Sequence, residues 1–285
     1  MKVSALQKNR KSGFTLIELM VVIAILGTLA AIGYGPIIEH MNDGDRQQAS
    51  SNLKSVYTIL QQFKTDHGSF PCDPTGEMLR EEKPDATFGE VMGSTSNDYY
   101  RQVFYDSQKN KSEKPFFAKI NVAGKMIQKE GDDKRANGKT LERGENAMAY
   151  VMRKNPDDPN QKLSVIETTS PLAICGLYPS ATPYAGNQVA FDMSSFRGHV
   201  FMLSVDGSVK DLEKSLEKAQ GNAEKGQLKA DSSIFPESDE GVDTSAEFLV
   251  LSPDLYRASA TNHLTNTPHF LSEMRGVSLA ACPPS

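Results

Sequence analysis

Residues 14–35 read FTLIELMVVIAILGTLAAIGYG, a run of 22 residues with one charged side chain, Glu18. At about 1.5 Å per residue, a helix of this length extends about 33 Å, enough to cross the hydrocarbon core of a bilayer. Residues 1–13 carry four bases and no acid. Since such a basic flank stays on the cytoplasmic side, the sequence predicts one apolar helix with a cytoplasmic N-terminus.

The overall composition hides this uneven distribution. The 285 residues have a mean hydropathy of −0.44 and a net charge of −5, which are typical of a soluble globular protein and exclude a polytopic membrane protein. An isoelectric point near 5.6 argues against a general nucleic-acid binder. Outside residues 1–13 the chain holds 27 of its 31 bases and all 36 acids, so the acidic character belongs to residues 14–285.

Two ordinary interpretations compete for the apolar run. A cleaved secretory signal peptide has an apolar region of about 7–15 residues, whereas this run is longer and has an acid near its start. A simple signal anchor fits the length but does not explain Glu18, because a charge at the centre of a membrane span costs about 2.5–3.5 kcal/mol. A charge near the end of a span is often tolerated, so the anchor remains an alternative.

Residues 11–22, KSGFTLIELMVV, resemble the class III signal of bacterial type IV pilins and of the pseudopilins of type II secretion. The resemblance implies cleavage after Gly13 by a prepilin peptidase on the cytoplasmic side, followed by N-methylation of the new N-terminal Phe14. A glycine before the cleaved bond suits this, because it has no side chain to obstruct close approach to the backbone. The leader would be lost and the apolar helix kept.

The resemblance also implies an assembly role for Glu18. In the family, this carboxylate neutralises the N-terminal amine of a neighbouring subunit, which removes two unpaired charges from a region of low dielectric constant. Glu18 lies four residues after Phe14, about one helical turn. A pair within one subunit is therefore the alternative, and the two pairings could alternate between states.

A second helical stretch comes after the apolar run. Pro36 is interpreted either as a kink, as in many pilins, or as the first residue of a new helix. The amphipathic pattern extends over 36–66, and Gly68 and Pro71 predict where it ends. Its apolar positions recur at helical spacing: Leu53, Val56, Tyr57, Leu60 and Phe63.

The remainder of the chain predicts short strands and few helices. A short helix is expected over 97–108, a loop over 124–144 and a helix-prone segment over 211–229. Asp206-Gly207 between apolar runs predicts a hairpin. Strands are predicted at 164–169, 172–177, 188–191, 199–205 and 248–251. This order predicts an α+β class, and the resemblance implies a pilin-like fold with a long N-terminal helix packed on an antiparallel sheet.

These patterns divide the chain into four segments. They are a cleaved leader at 1–13, a transmembrane or filament-core helix at 14–35, the amphipathic half of that helix at 36–71, and a soluble α+β head at 72–285.

No pattern of an enzyme or of a metal site stands out. Residues 131–140 differ from a phosphate-binding loop in the spacing of their glycines. Cys175 and His199 lack the flanking motif of a nucleophile pair. His263 and His269 lack a third metal ligand, and Asp157-Asp158 is better explained as a solvated turn than as a calcium site. We expect no catalytic residue, cofactor or metal.

Three cysteines allow one disulfide bond at most. If the head crosses the membrane, they lie in an oxidising compartment. The resemblance implies a bond that ties the C-terminal loop to the head, with Cys282 as one partner and Cys72 or Cys175 as the other. Three free buried thiols are the alternative.

The resemblance implies a structural subunit that polymerises into a pilus or a secretion pseudopilus. Its expected partners are identical or related subunits, the prepilin peptidase/methyltransferase and an inner-membrane assembly platform. The expected location is the inner membrane, single-pass with the head in the periplasm, and then a periplasmic or surface filament. The large head leaves open a minor pilin or tip adhesin that binds an extracellular ligand, whereas Glu18 favours a position in the body of the filament.

Overall fold

The computed structural model describes residues 14–82, 89–105, 112–120, 126–127, 140–180, 182–212, 216–218, 221, 224–229, 233–237, 244–254 and 256–257, with the backbone alone at 32–39, 126–127 and 256–257. Its longest element is helix α1 (Leu16–His67), of 52 residues. The helix ends as predicted, because Gly68 adopts a left-handed conformation with φ 84° and donates its N–H to the Lys64 carbonyl at 2.8 Å.

Helix α1 continues through Pro36, since a proline removes only one of the backbone hydrogen bonds of a long helix. The alternative in which a new helix begins at Pro36 is therefore wrong, and the kink there stays a prediction. Along Phe14–Leu29 the large apolar side chains are exposed, between 45% at Val22 and 81% at Phe14. Among the described residues, no helix combines the length and the apolar character that crossing a membrane requires, so the span predicted at 14–35 is not confirmed.

The second half of α1 packs on the head. Ala49, Leu53, Val56 and Leu60 are fully buried and Phe63 nearly so, which confirms the predicted amphipathic face. The strands that the structure describes are β1 (Met126–Ile127), β2 (Met148–Lys154), β3 (Lys162–Ser164), β4 (Pro171–Cys175), β5 (Tyr184–Ala185), β6 (Phe191–Asp192), β7 (Phe201–Ser204), β8 (Val209–Asp211), β9 (Leu216–Lys218), β10 (Lys225–Leu228), β11 (Phe248–Leu251) and β12 (Tyr256–Arg257).

The main sheet is antiparallel, in the order β5-β11-β2-β4-β7-β8. Strand β3 pairs with the C-terminal end of β2. Helix α1 contacts β4, β7 and β8. A smaller sheet has the order β6-β10-β9, and β1 pairs with β12. The predicted α+β class is thus confirmed, and the arrangement is consistent with a pilin fold.

Two short helices join α1 to the sheet. They are α2 (Asp73–Glu82), which the sequence analysis did not predict, and α3 (Ser96–Tyr100), continued by a 3-10 turn at Arg101–Phe104. The cap of α3 is Thr95, whose amide and hydroxyl donate hydrogen bonds to the Asp98 carboxylate, so the helix begins one residue before the predicted 97.

Buried tyrosines anchor these helices to the sheet. Tyr99 donates its hydroxyl to the Asp73 carboxylate at 2.6 Å, and Tyr150 of β2 donates to the Pro71 carbonyl at 2.9 Å. Tyr100 donates to the Ala149 carbonyl at 3.1 Å. Because each buried hydroxyl has an acceptor, the three rings fill the core without leaving an unpaired donor.

Several strands have limits in the structure that differ from those predicted. The strand expected at 172–177 ends at Cys175, because Gly176 has φ 103°. The strand at 199–205 narrows to Phe201–Ser204, the one at 188–191 begins only at Phe191, and the one at 164–169 is replaced by β3.

The helix-prone segment 211–229 is a wrong prediction, because β9 and β10 pair with each other there. Gly221 in the connection has φ 76°, which favours a turn and not a helix. Most of the loop expected at 124–144 lies outside the described residues, apart from β1 and 140–144. Residues 106–108 and 258–285 also lie outside them.

Candidate functional site

The first turn of α1 holds the described part of the predicted processing and assembly site. Gly13 lies outside the described residues, and Phe14 is the first residue that the structure describes. Thr15 has φ −79° and ψ 152°, so the chain is extended until the helix begins at Leu16. The site therefore consists of Phe14, the extended Thr15 and the helical N-terminus that follows them.

The Glu18 side chain folds back onto this N-terminus. Its Oε2 atom accepts hydrogen bonds from the backbone N–H and the hydroxyl of Thr15, each at 2.8 Å. The Glu18 N–H donates in turn to the Thr15 hydroxyl at 3.3 Å. This is a reciprocal capping box.

This cap was not predicted from the sequence, although a threonine three residues before a glutamate at the start of an apolar run is its signature. The cap holds the carboxylate next to the Thr15 nitrogen, one residue from Phe14. The arrangement can therefore hold a negative charge beside a cationic N-terminus. A helix N-terminus also favours an acid electrostatically, through the helix dipole.

The nucleophile pair considered from sequence does not form. Cys175 is fully buried on β4, and burial raises the pKa of its thiol to about 12, because the thiolate would lose its hydration. His199 directs its Nδ1 atom to the Asp211 carboxylate at 2.7 Å. The thiol is thus protonated near neutral pH, and the imidazole is bonded to another residue.

Asp157 and Asp158 lie in an exposed turn between β2 and β3. The Asp158 carboxylate accepts the N–H of Asn160 at 3.0 Å, and the Asn155 side chain accepts the N–H of Asp157 at 3.0 Å. These bonds are those of a solvated turn. Within the ranges that the structure describes, no group of three or more His, Cys, Asp or Glu residues could hold a metal ion. His263 and His269 lie outside these ranges.

Cys72 and Cys175 are buried free thiols. Cys72 contacts the hydroxyls of Ser69 and Thr75, with sulfur–oxygen distances of 3.6 and 3.5 Å. Cys282, the expected disulfide partner, lies outside the described residues. The bond from Cys282 to one of the other two cysteines therefore stays a prediction.

Comparisons with known proteins concern mainly the N-terminal part of the chain. Residues 8–34 match the family model described as the prokaryotic N-terminal methylation motif. The type II secretion system core protein G of Aeromonas hydrophila is 37% identical over 81 residues, which are 28% of this chain and 57% of that protein. The homologous core protein of Dickeya chrysanthemi is 34% identical over 99 residues, 35% of this chain and 64% of that protein.

The type IV major pilin protein PilA of Myxococcus xanthus is 46% identical over 54 residues, which cover 19% of this chain and 24% of that pilin. The chain thus spans about half to just under two thirds of the length of the secretion proteins and about a quarter of the pilin. No solved structure matches the chain. The methylation motif and these relatives make the N-terminal part of the chain similar to that of pilins and pseudopilins, and the α+β fold with its long N-terminal helix is consistent with a pilin fold.

Proposed function

We propose that the chain is a structural subunit that assembles, after removal of its leader, into a type II secretion pseudopilus or a type IV pilus-like filament. The observation that carries this proposal is the Glu18 carboxylate, which is held at the helix N-terminus within a run of exposed apolar side chains along Phe14–Leu29. A face of this kind needs an apolar environment, and a bundle of identical helices or a lipid bilayer supplies one.

In this proposal, a prepilin peptidase cleaves after Gly13 and Phe14 becomes the methylated N-terminus. The apolar run 14–35 then holds the subunit in the inner membrane with its head outside the cytoplasm, and later lies in the filament core. The partners are identical or related subunits, the peptidase/methyltransferase and an inner-membrane assembly platform. No catalytic role is assigned to the head.

Glu18 is the assembly residue of this proposal. In the single subunit its carboxylate is bonded to Thr15. On docking, the carboxylate could exchange this bond for the amine of Phe14 in a neighbouring subunit, because the pairing of two charges outweighs a hydrogen bond where water is excluded. The relatives are named as a secretion core protein and a major pilin, which supports a position in the filament body over the tip adhesin.

The test is the yield of filaments sheared from cells that express the full chain together with a prepilin peptidase and either a secretion or a pilus assembly platform. We expect abundant filaments from the wild type and at least a tenfold lower yield from Glu18→Gln, with the leader still removed. Glu81→Gln, an exposed glutamate of α2, is the matched control and should assemble normally. Normal yields from both Glu18→Gln and Glu18→Ala would contradict the proposal.

A further inference from the structure

The turn at residues 192–199 has an unfavourable backbone. Phe196 has φ 48° and Arg197 has φ 59°, and both lie in the left-handed region before Gly198 at φ 85°. Only the glycine adopts this region freely, whereas a bulky side chain there is strained. Such strain persists only where the surroundings impose it, and it marks segments with a particular task.

Bonds on the head side hold this turn in place. The Asp192 carboxylate, which is 1% exposed, accepts hydrogen bonds from the Ser194 N–H at 2.9 Å and from the Ser195 hydroxyl at 3.0 Å. The buried Phe196 ring packs edge-on against Phe201 of β7, with 5.5 Å between the ring centres. The turn is therefore fixed to β6 of the smaller sheet at one end and to β7 of the main sheet at the other.

The strained backbone presents one carbonyl group to the long helix. Arg46 of α1 donates from Nε and from Nη2 to the same carbonyl oxygen of Phe196, at 3.1 and 3.0 Å. Its third nitrogen, Nη1, bonds to Asp43 one turn earlier on the helix at 3.3 Å. The planar guanidinium group of Arg46 is thus bonded both to Asp43 on α1 and to the Phe196 carbonyl oxygen on the head.

The contact lies where α1 leaves the head. Met41 is 57% exposed, whereas Ala49 is fully buried. Among the hydrogen bonds and ion pairs of the described residues, those of Asp45 with Lys119, at 3.3 Å, and of Arg46 with Phe196 are the first along α1 that reach the head. The ion pair of Asp45 involves a lysine that is 61% exposed, so it contributes little, and Arg46 makes the stronger connection.

We propose that the 192–199 turn binds the Arg46 side chain and thereby fixes the point at which α1 separates from the head. This contact keeps residues 40–48 helical and aligned with the head. Without the guanidinium group, the Phe196 carbonyl loses its partner and the helix before Ala49 loses its lateral support. Local opening of this part of the helix should then become frequent.

The test is amide hydrogen exchange of the full chain in detergent, read by mass spectrometry. In Arg46→Gln we expect exchange over residues 40–48 to be at least tenfold faster, with β2 and β4 unchanged. Arg46→Lys keeps the charge but offers a single ammonium group, so we expect an intermediate increase of about threefold. Arg80→Gln, which removes the exposed ion pair of Arg80 with Glu90, is the control and should change nothing at 40–48.

Unchanged exchange over residues 40–48 in Arg46→Gln would overturn the proposal. Equal acceleration throughout β2 and β4 in both Arg46 variants would overturn it as well, because the contact would then support the whole head and not the helix exit. Should Arg46→Gln fail to fold, Arg46→Lys decides between these outcomes. Hydrogen exchange does not depend on filaments, so failure of this proposal is distinct from failure of the assembly role.

Discussion

The ring of Tyr57, on the long helix, lies so close to Gly207 at the tip of the β7–β8 hairpin that a Cβ atom on residue 207 would be 2.6 Å from the ring carbon Cε1. The Tyr57 hydroxyl donates to the Val205 carbonyl at 3.3 Å and accepts from the Gln61 amide at 2.8 Å. Gly207 also has φ 87°. The hairpin thus needs glycine both for its backbone conformation and for its contact with the helix.

We expect Gly207→Ala to lower the free energy of unfolding by about 2–4 kcal/mol. The left-handed conformation contributes about 1–2 kcal/mol, and displacement of the anchored Tyr57 ring adds about 1–2 kcal/mol. Gly221→Ala is the matched control, because Gly221 has φ 76° with nothing within 4 Å of an added Cβ, and it should cost only the first of these amounts. Urea unfolding followed by tyrosine near-ultraviolet circular dichroism measures both, and equal losses in the two variants would refute a role for Tyr57.

The capping box at the start of α1 leads to a second prediction. Thr15→Val removes the hydroxyl that bonds to Glu18 and leaves the backbone donor in place, so filament yield should fall, but less than in Glu18→Gln. Thr15→Ser keeps a hydroxyl and should assemble as the wild type does. The readout is sheared filament yield with leader removal measured in parallel, and wild-type yield from Thr15→Val would show that the cap does not matter for assembly.

A third prediction concerns processing. Intact-mass and N-terminal peptide analysis of the protein from cells with a prepilin peptidase should show a chain that begins at Phe14 and carries one methyl group on its amine. Gly13→Leu should retain the leader, because the larger side chain obstructs access to the backbone at the cleaved bond. Any first residue other than Phe14 in the mature wild-type chain would refute the assigned site.

Local signals in the sequence were sufficient where a few residues decide the structure. The left-handed Gly68 ended the long helix, Asp206-Gly207 formed the hairpin, and the strand at Phe248–Leu251 was found with its exact limits. In each case a single glycine or a short apolar run determines the backbone. The apolar positions of the amphipathic helix also followed from their spacing alone, since one face of α1 packs on the sheet.

Three of the features that were not predicted from the sequence are strand β2, the strands within 211–229 and the cap at Thr15. Strand β2 is central in the sheet and buried over Met148–Met152, and periodicity alone does not distinguish such a continuous buried run from a helix. The charged segment 211–229 has helix-forming residues, but pairing of β9 with β10 outweighs that weak preference. At the site, Glu18 was predicted and its partner Thr15 was not, although a threonine three residues before a glutamate is the signature of a capping box.

The cysteines give a fourth prediction. Thiol counting under denaturing, non-reducing conditions should find one free thiol in the mature protein, since Cys282 is expected to bond to Cys72 or to Cys175. Three free thiols would contradict the bond. Peptide mapping after blocking of the free thiol should then identify which cysteine is unpaired.

A fifth prediction uses alkaline pH to distinguish a disulfide bond of Cys282 with Cys72 from one with Cys175. Burial raises the pKa of the Cys175 thiol from 9.0 to about 12. The folded protein therefore keeps this proton while the unfolded chain releases it above pH 9. The stabilising contribution is complete below pH 9 and is lost as the pH rises towards 12, at about 1.4 kcal/mol per pH unit.

Urea unfolding of the wild type and of Cys175→Ala at pH 8, 9 and 10 isolates this slope, because the tyrosines, whose pKa is near 10 in the unfolded chain, contribute equally to both proteins. If Cys175 is free, Cys175→Ala should remove about 1 kcal/mol of the loss between pH 9 and 10. If Cys175 is bonded to Cys282, it has no proton to release, and Cys175→Ala would change the stability at pH 8 without changing the slope. An unchanged slope in Cys175→Ala together with a free Cys175 by peptide mapping would show that the thiol is not shielded from water as its burial indicates.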